Sequence, residues 1–130
     1  MADLQLADEW RSYAKTDYDI AFYDQGFRPL PIEIICYHCQ QAAEKSFKAV
    51  LAYHEQEIPR IHDTFRLWQY ALQHEAGLAD LSGQAERLRT FSVITRYPNE
   101  IELNEDDMRQ ALKDARTIVE AIAGLWPETK

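Results

Sequence analysis

Hydrophobic positions recur at three- and four-residue steps along most of this chain, which predicts a succession of amphipathic helices. The first stretch runs from Leu4 to Tyr23, where Leu6, Trp10, Tyr13 and Ile20 form an apolar stripe that Asp17 interrupts. Asp3 is placed to cap it, because its carboxylate can accept from the free amides of the first turn. Gly26, Pro29 and Pro31 end the segment, and Pro31 suits the first position of the next helix, where no amide donor is needed. The second helix runs from Ile32 to about His54. At about 100° per residue, Ile32, Cys36, Cys39, Ala43, Phe47, Val50 and Leu51 fall in one arc. Tyr37, His38, Gln41, Glu44, Lys45 and Lys48 fall on the opposite side. Gln40 points into the apolar arc, so its amide is expected to bond to a neighbouring helix or a helix end.

Beyond Pro59, His62-Asp63-Thr64 opens a third helix carrying Phe65, Trp68 and Leu72 at helical spacing. Gly77 and Ser82-Gly83 mark a break. From Gln84 to Arg96 the β-branched residues around Thr90–Thr95 admit a strand, yet a lone strand has no partner in this chain, so helix is expected. Tyr97-Pro98-Asn99 stops it. The last helix has Asn104 as cap, Glu105, Asp106 and Asp107 at its positive end, and an apolar stripe through Met108, Ala111, Leu112, Ala115, Ile118, Val119, Ile122 and Leu125. Gly124 and Pro127 close it. The expected architecture is all-α: an up-and-down bundle of four to five antiparallel helices forming one domain over residues 1–130.

Composition sharpens this modestly. A chain of 130 residues can bury one core but not two. No apolar run approaches the roughly 20 residues needed to span a bilayer, and the start, MADLQLADEW, lacks the basic and apolar regions of a secretion signal. With two cysteines only three residues apart, no disulfide framework is possible, and a cytoplasmic location with no membrane partner is expected. The formal net charge of −8 argues against a bulk nucleic-acid binder, while leaving room for one local basic pocket.

Few positions carry candidate chemistry. Cys36-Tyr37-His38-Cys39 suggests a metal site, but no second cysteine pair completes one, and on a helix both sulfurs face the core while His38 points away. Two buried thiols and no metal are expected. Gln41, Glu44, Lys45 and Lys48 share a face whose lysines suit a phosphate or an acidic partner; the same residues also read as a solvated face with a Glu44–Lys48 ion pair. Arg96-Tyr97-Pro98 can grip a phosphate and stack on a base, or Arg96 can neutralise its own helix end. His62-Asp63 is a poor acid–base pair because adjacent side chains diverge at a helix start; Asp63 suits an N-cap and His62 a packed residue. There is neither a nucleophile elbow nor a Gly-rich phosphate loop, so no catalytic residue and no cofactor are assigned. Trp10, Trp68 and Trp126 are many for a small bundle to hide, which points to an interface.

The run from Tyr37 to Leu51, YHCQQAAEKSFKAVL, resembles the aromatic-x-x-Q-Q-A-x-E-K-x-x-K-A-x-L signature of HEPN domains, the higher eukaryote and prokaryote nucleotide-binding family. His62-Asp63 is similar to the T-H-x-L entry of the next helix in that family, and Arg96-Tyr97-Pro98 to its R-Y-P element. The resemblance implies a four- to five-helix bundle that dimerises and that works, in many prokaryotic members, beside a minimal nucleotidyltransferase, sometimes as a toxin–antitoxin pair. Ribonuclease members carry Arg-x(4–6)-His; none of His38, His54, His62 or His74 has an arginine at that spacing before it. From Arg96, the histidine would fall at 101 to 103, which are Ile101, Glu102 and Leu103. The expectation is therefore a non-catalytic homodimeric module that binds a nucleotide or partners a nucleotidyltransferase, with Gln41, Glu44, Lys45, Lys48, His62, Arg96 and Tyr97 as candidate contacts. The alternatives are a metal-independent ribonuclease acting on RNA with an atypical site, and a purely structural interaction domain.

Overall fold

The computed structural model describes residues 3–93 and 102–127. The helices are α1 (Leu4–Tyr23), α2 (Ile32–Tyr53), α3 (Thr64–Leu72), α4 (Ser82–Arg89) and α5 (Glu105–Ala123), and no strand occurs among the described residues. Short 3₁₀ turns at Asp24–Gly26, Ala76–Leu81 and Thr90–Val93 extend α1, lead into α4 and continue it. The segment that admitted a strand is thus helical as far as Val93, and Arg96 and Tyr97 lie outside the described residues. No helix of the described residues is long and apolar enough to cross a membrane.

The capping residues act as their chemistry requires. Asp3 accepts from the Leu6 amide at 3.0 Å, and Asp63 accepts from the Phe65 and Arg66 amides at 3.0 and 3.2 Å. Asn104 and Asp107 form a reciprocal capping box at 2.9 and 3.0 Å. Pro31 sits one place earlier than expected, as the cap of α2 rather than its first residue. At the far end of α2, Glu55 takes a left-handed φ of 55° while the Gln56 amide returns to the Leu51 carbonyl at 2.9 Å.

α2 is the central rod. It packs against α1, α3, α4 and α5, and fourteen of its 22 residues are buried. A helix surrounded on most sides must bury its polar arc as well as its apolar one, and this governs the site. Cys36 and Cys39 are free thiols inside the core. Burial pushes Cys36 up to about 12 and Cys39 higher still.

α1 departs from its predicted stripe. Leu6, Tyr13 and Ile20 are exposed, and the face against α2 is made by Ala7, Ala14, Ala21 and Asp17. Alanines at seven-residue steps let the two backbones approach closely, so the helix turns its small side chains inward and its large ones to the flank. The tryptophans are better hidden than expected. Trp68 and Trp126 are buried; the Trp68 indole donates to the Leu78 carbonyl at 2.8 Å. Trp126 lies between Tyr53, stacked at 4.4 Å, and the Arg11 guanidinium at 4.4 Å. Arg11 also donates to the carbonyls of Ala123 and Trp126, which ties α1 to the end of α5. The tryptophans therefore supply core rather than an interface.

Candidate functional site

The polar arc of α2 is drawn inward around two buried carboxylates. The first is Asp17 of α1, only 6% exposed. It accepts from His38 Nδ1 at 3.0 Å and from Lys45 Nζ at 2.5 Å. Burial alone would raise its pKa, but the bonds from His38 and Lys45 outweigh that and hold the carboxyl below the ordinary carboxylate range. The second is Glu44 of α2, 3% exposed. It receives Lys48 Nζ at 3.1 Å, His62 Nδ1 at 3.0 Å, and the amides of Gln40 and Gln41 at 3.2 and 3.5 Å.

Local sequence explains the geometry. On α2, His38 and Lys45 stand seven residues apart, two helical turns on one face, and both reach the same carboxylate of the neighbouring helix. Glu44 and Lys48 are an i,i+4 pair. Gln40 donates to the His62 carbonyl at 2.9 Å, next to the cap of α3, so the buried amide finds the helix-end partner expected of it. Gln41 donates to Gln40 Oε1 at 2.8 Å and links the network along the helix.

The predicted solvated face is corrected by this packing. The Glu44–Lys48 pair exists, but Glu44 and Lys48 are buried, because α1 and the connection before α3 cover that side of α2. Lys48 also lies over the Trp10 ring at 5.6 Å, a cation–π contact, while the Trp10 indole N–H is buried without an acceptor among the described residues. Gln41 and Lys45 remain half-buried and His62 is exposed. Of the predicted residues, Gln41, Glu44, Lys48 and His62 therefore share the Glu44 cluster and Lys45 joins the Asp17 cluster; Arg96 and Tyr97 are not among the described residues. Asp17 and His38 were missed as members. Their signals were a carboxylate breaking an apolar stripe and the two-turn spacing from His38 to Lys45.

Each carboxylate holds one imidazole through Nδ1, which leaves Nε2 as the nitrogen each ring can offer. Around the Asp17 cluster, Tyr13 and Ile20 of α1 and Ile34 of α2 stand one helical turn away and are exposed. No group of three metal-ligating side chains occurs among the described residues. A polar network floors this face and apolar side chains rim it.

A family model described as "HEPN domain" matches residues 7–125. The chain belongs to the HEPN domain family. Two solved structures share the fold of this HEPN domain. TT1696 from Thermus thermophilus superposes with a TM-score of 0.76 at 22% identity, covering 89% of this chain and 94% of the other. ST0689, an archaeal HEPN homologue, gives 0.70 at 25% identity, covering 91% and 95%. No curated protein matches. In this HEPN chain the Q-Q-A-x-E-K signature residues Gln40, Gln41, Glu44 and Lys45 all bind within the bundle, so here the signature performs structural work.

Proposed function

We propose that this chain is a homodimeric, non-catalytic HEPN module whose outer α1–α2 face receives its protein partners, a second copy and a minimal nucleotidyltransferase. The distribution of exposed apolar surface carries this reading. Leu6, Tyr13, Ile20, Phe22, Tyr23, Phe27 and Ile34 are the exposed large hydrophobics among the described residues, and all lie between residues 6 and 34. Single exposed hydrophobics scatter over any surface; a set confined to α1, its connection and the start of α2 marks an interaction face.

The same face offers less to a nucleotide. Lys45 and Lys48 already bind Asp17 and Glu44, so a phosphate must compete with two built-in carboxylates. Light scattering on the wild type is expected to give twice the 15.2 kDa chain mass, and Tyr13→Asp with Ile20→Asp a monomer. A monomeric wild type at high micromolar concentration overturns the dimer. Co-purification with a nucleotidyltransferase from a neighbouring gene tests the second partner, and calorimetry with ATP, GTP and short RNA, with Lys45→Ala as control, tests the nucleotide arm.

The two imidazoles held by carboxylates favour a second reading, metal-independent RNA cleavage at an atypical site. Incubation with cellular RNA decides it: intact RNA, or cleavage that survives both His38→Ala and His62→Ala, removes it.

A further inference from the structure

A cleft of about 290 Å³ opens between α1 and α5. One wall is the α1 face of Arg11, Ser12 and Lys15, the other is Val119 and Ala123 of α5, and the buried Ser46 of α2 forms the floor. The Arg11 side is fixed. Its guanidinium donates to the carbonyls of Ala123 and Trp126 at 3.2 and 2.9 Å and bonds to Asp8, which also accepts from the Trp126 indole at 3.4 Å. Arg11 and Asp8 thus neutralise each other. The groups left to face a ligand are Ser46, Ser12 and Lys15. Ser46 is 1% exposed, and its hydroxyl makes no hydrogen bond among the described residues. Ser12 is exposed, and its hydroxyl likewise makes none among them. Lys15 meets Asp19 at 2.8 Å in an exposed pair, weak enough for the ammonium to turn to another anion.

We infer that this cleft binds a short-chain hydroxycarboxylate. Buried hydroxyls in folded proteins almost always have a partner, so one left open at the floor of a cleft points to a polar group from outside the chain. A ligand hydroxyl suits Ser46, because each can donate and accept. Lys15 supplies the cation for a carboxylate, and Ser12 a second donor to it. Val119 and Ala123 cover the carbon chain between the two polar ends. An amino group fares worse, because Asp8, the carboxylate of the lining, already holds Arg11 and the Trp126 indole. The volume falls just below the roughly 300–1,000 Å³ of pockets that hold drug-sized ligands, which suits a compound of a few carbons. The inference does not rest on the dimer reading, since no residue of the cleft belongs to the exposed large hydrophobics.

The probe, β-hydroxybutyrate, is titrated into the full chain and followed by amide chemical shifts. Butyrate, which lacks the hydroxyl, and β-hydroxybutyramide, which lacks the negative charge, are the controls. The probe is expected to shift Ser12, Lys15, Ser46, Val119 and Ala123 saturably, and butyrate to bind about fivefold more weakly. Ser46→Ala removes one oxygen and keeps a good helix former; it is expected to weaken the probe about fivefold and to leave butyrate unchanged. Lys15→Met, at an exposed position that leaves folding intact, is expected to weaken both carboxylates about threefold and to leave the amide unchanged. No saturable shift at these residues, a control that binds as tightly as the probe, or probe binding unchanged in either variant overturns the inference.

Discussion

The buried Glu44–Lys48 pair makes the sharpest test of how this fold is held. The two side chains are 4% and 8% exposed and meet at 3.1 Å. Removing one partner of a buried pair typically costs about 3–5 kcal/mol, because a desolvated charge is left behind. Lys48→Met belongs at the lower end, about 3 kcal/mol, since Glu44 keeps His62, Gln40 and Gln41 as donors. Glu44→Met belongs near 4 kcal/mol, an order-of-magnitude figure, because among the described residues Lys48 keeps only the Trp10 ring. In the double variant no charge is stranded, and Gln40 still donates to the His62 carbonyl. That variant is expected within about 1 kcal/mol of wild type. The cycle therefore predicts a coupling of about 6 kcal/mol, the two single costs less that of the double variant. The assay is urea unfolding followed by circular dichroism at one fixed protein concentration, so that any association contributes equally. Single costs that simply add in the double variant would refute the reasoning, and so would a Lys48→Met loss under about 1 kcal/mol, the scale of a solvated surface pair.

Three further outcomes follow from the same geometry. Asp17 has a lowered pKa in the fold, so the stability it contributes is present above the unfolded value of about 3.9 and is lost as pH falls through the lower folded value; acid titration of Asp17→Asn is expected to show a shallower decline below pH ~4 than wild type, and an identical profile counts against this ion cluster. Cys36 and Cys39 are expected to resist a chromogenic disulfide reagent at mildly alkaline pH in the native protein and to react once it is unfolded in guanidinium; prompt reaction of the native chain contradicts their burial. Glu55→Gly is expected to melt higher than Glu55→Ala by the equivalent of about 0.5–1 kcal/mol, because both remove the Glu55 side chain and only alanine keeps a Cβ at the left-handed φ of 55°; a glycine variant that melts no higher counts against strain at this position.

Helix boundaries and caps were legible because they depend on a few neighbouring residues. Asp3, Asp63 and Asn104 each bond within three residues of themselves, so local chemistry specifies them. The network was only half legible. Helical spacing brings Gln41, Glu44, Lys45 and Lys48 together whatever surrounds the helix. Whether that face meets water depends on α1 and the loop before α3, and those arrive from distant sequence. The same limit explains α1: periodicity finds an apolar stripe at Leu6, Tyr13 and Ile20, but the closer fit of Ala7, Ala14 and Ala21 against α2 sets the orientation. Packing chose small side chains over hydrophobic ones, and a pattern read from hydrophobicity weighs alanine too lightly to foresee it.

By itself, then, the sequence determined an all-helical chain with its stops and caps and a glutamine-rich signature on one helix, since each follows from short-range geometry. Only the tertiary structure decided that α2 is the central rod, that Lys45 and Lys48 turn inward to Asp17 and Glu44, and that the exposed large hydrophobics of the described residues collect on α1, its connection and the start of α2. The physical reason is desolvation: a charge or a methyl group has no inside or outside until other helices remove water from one side of it.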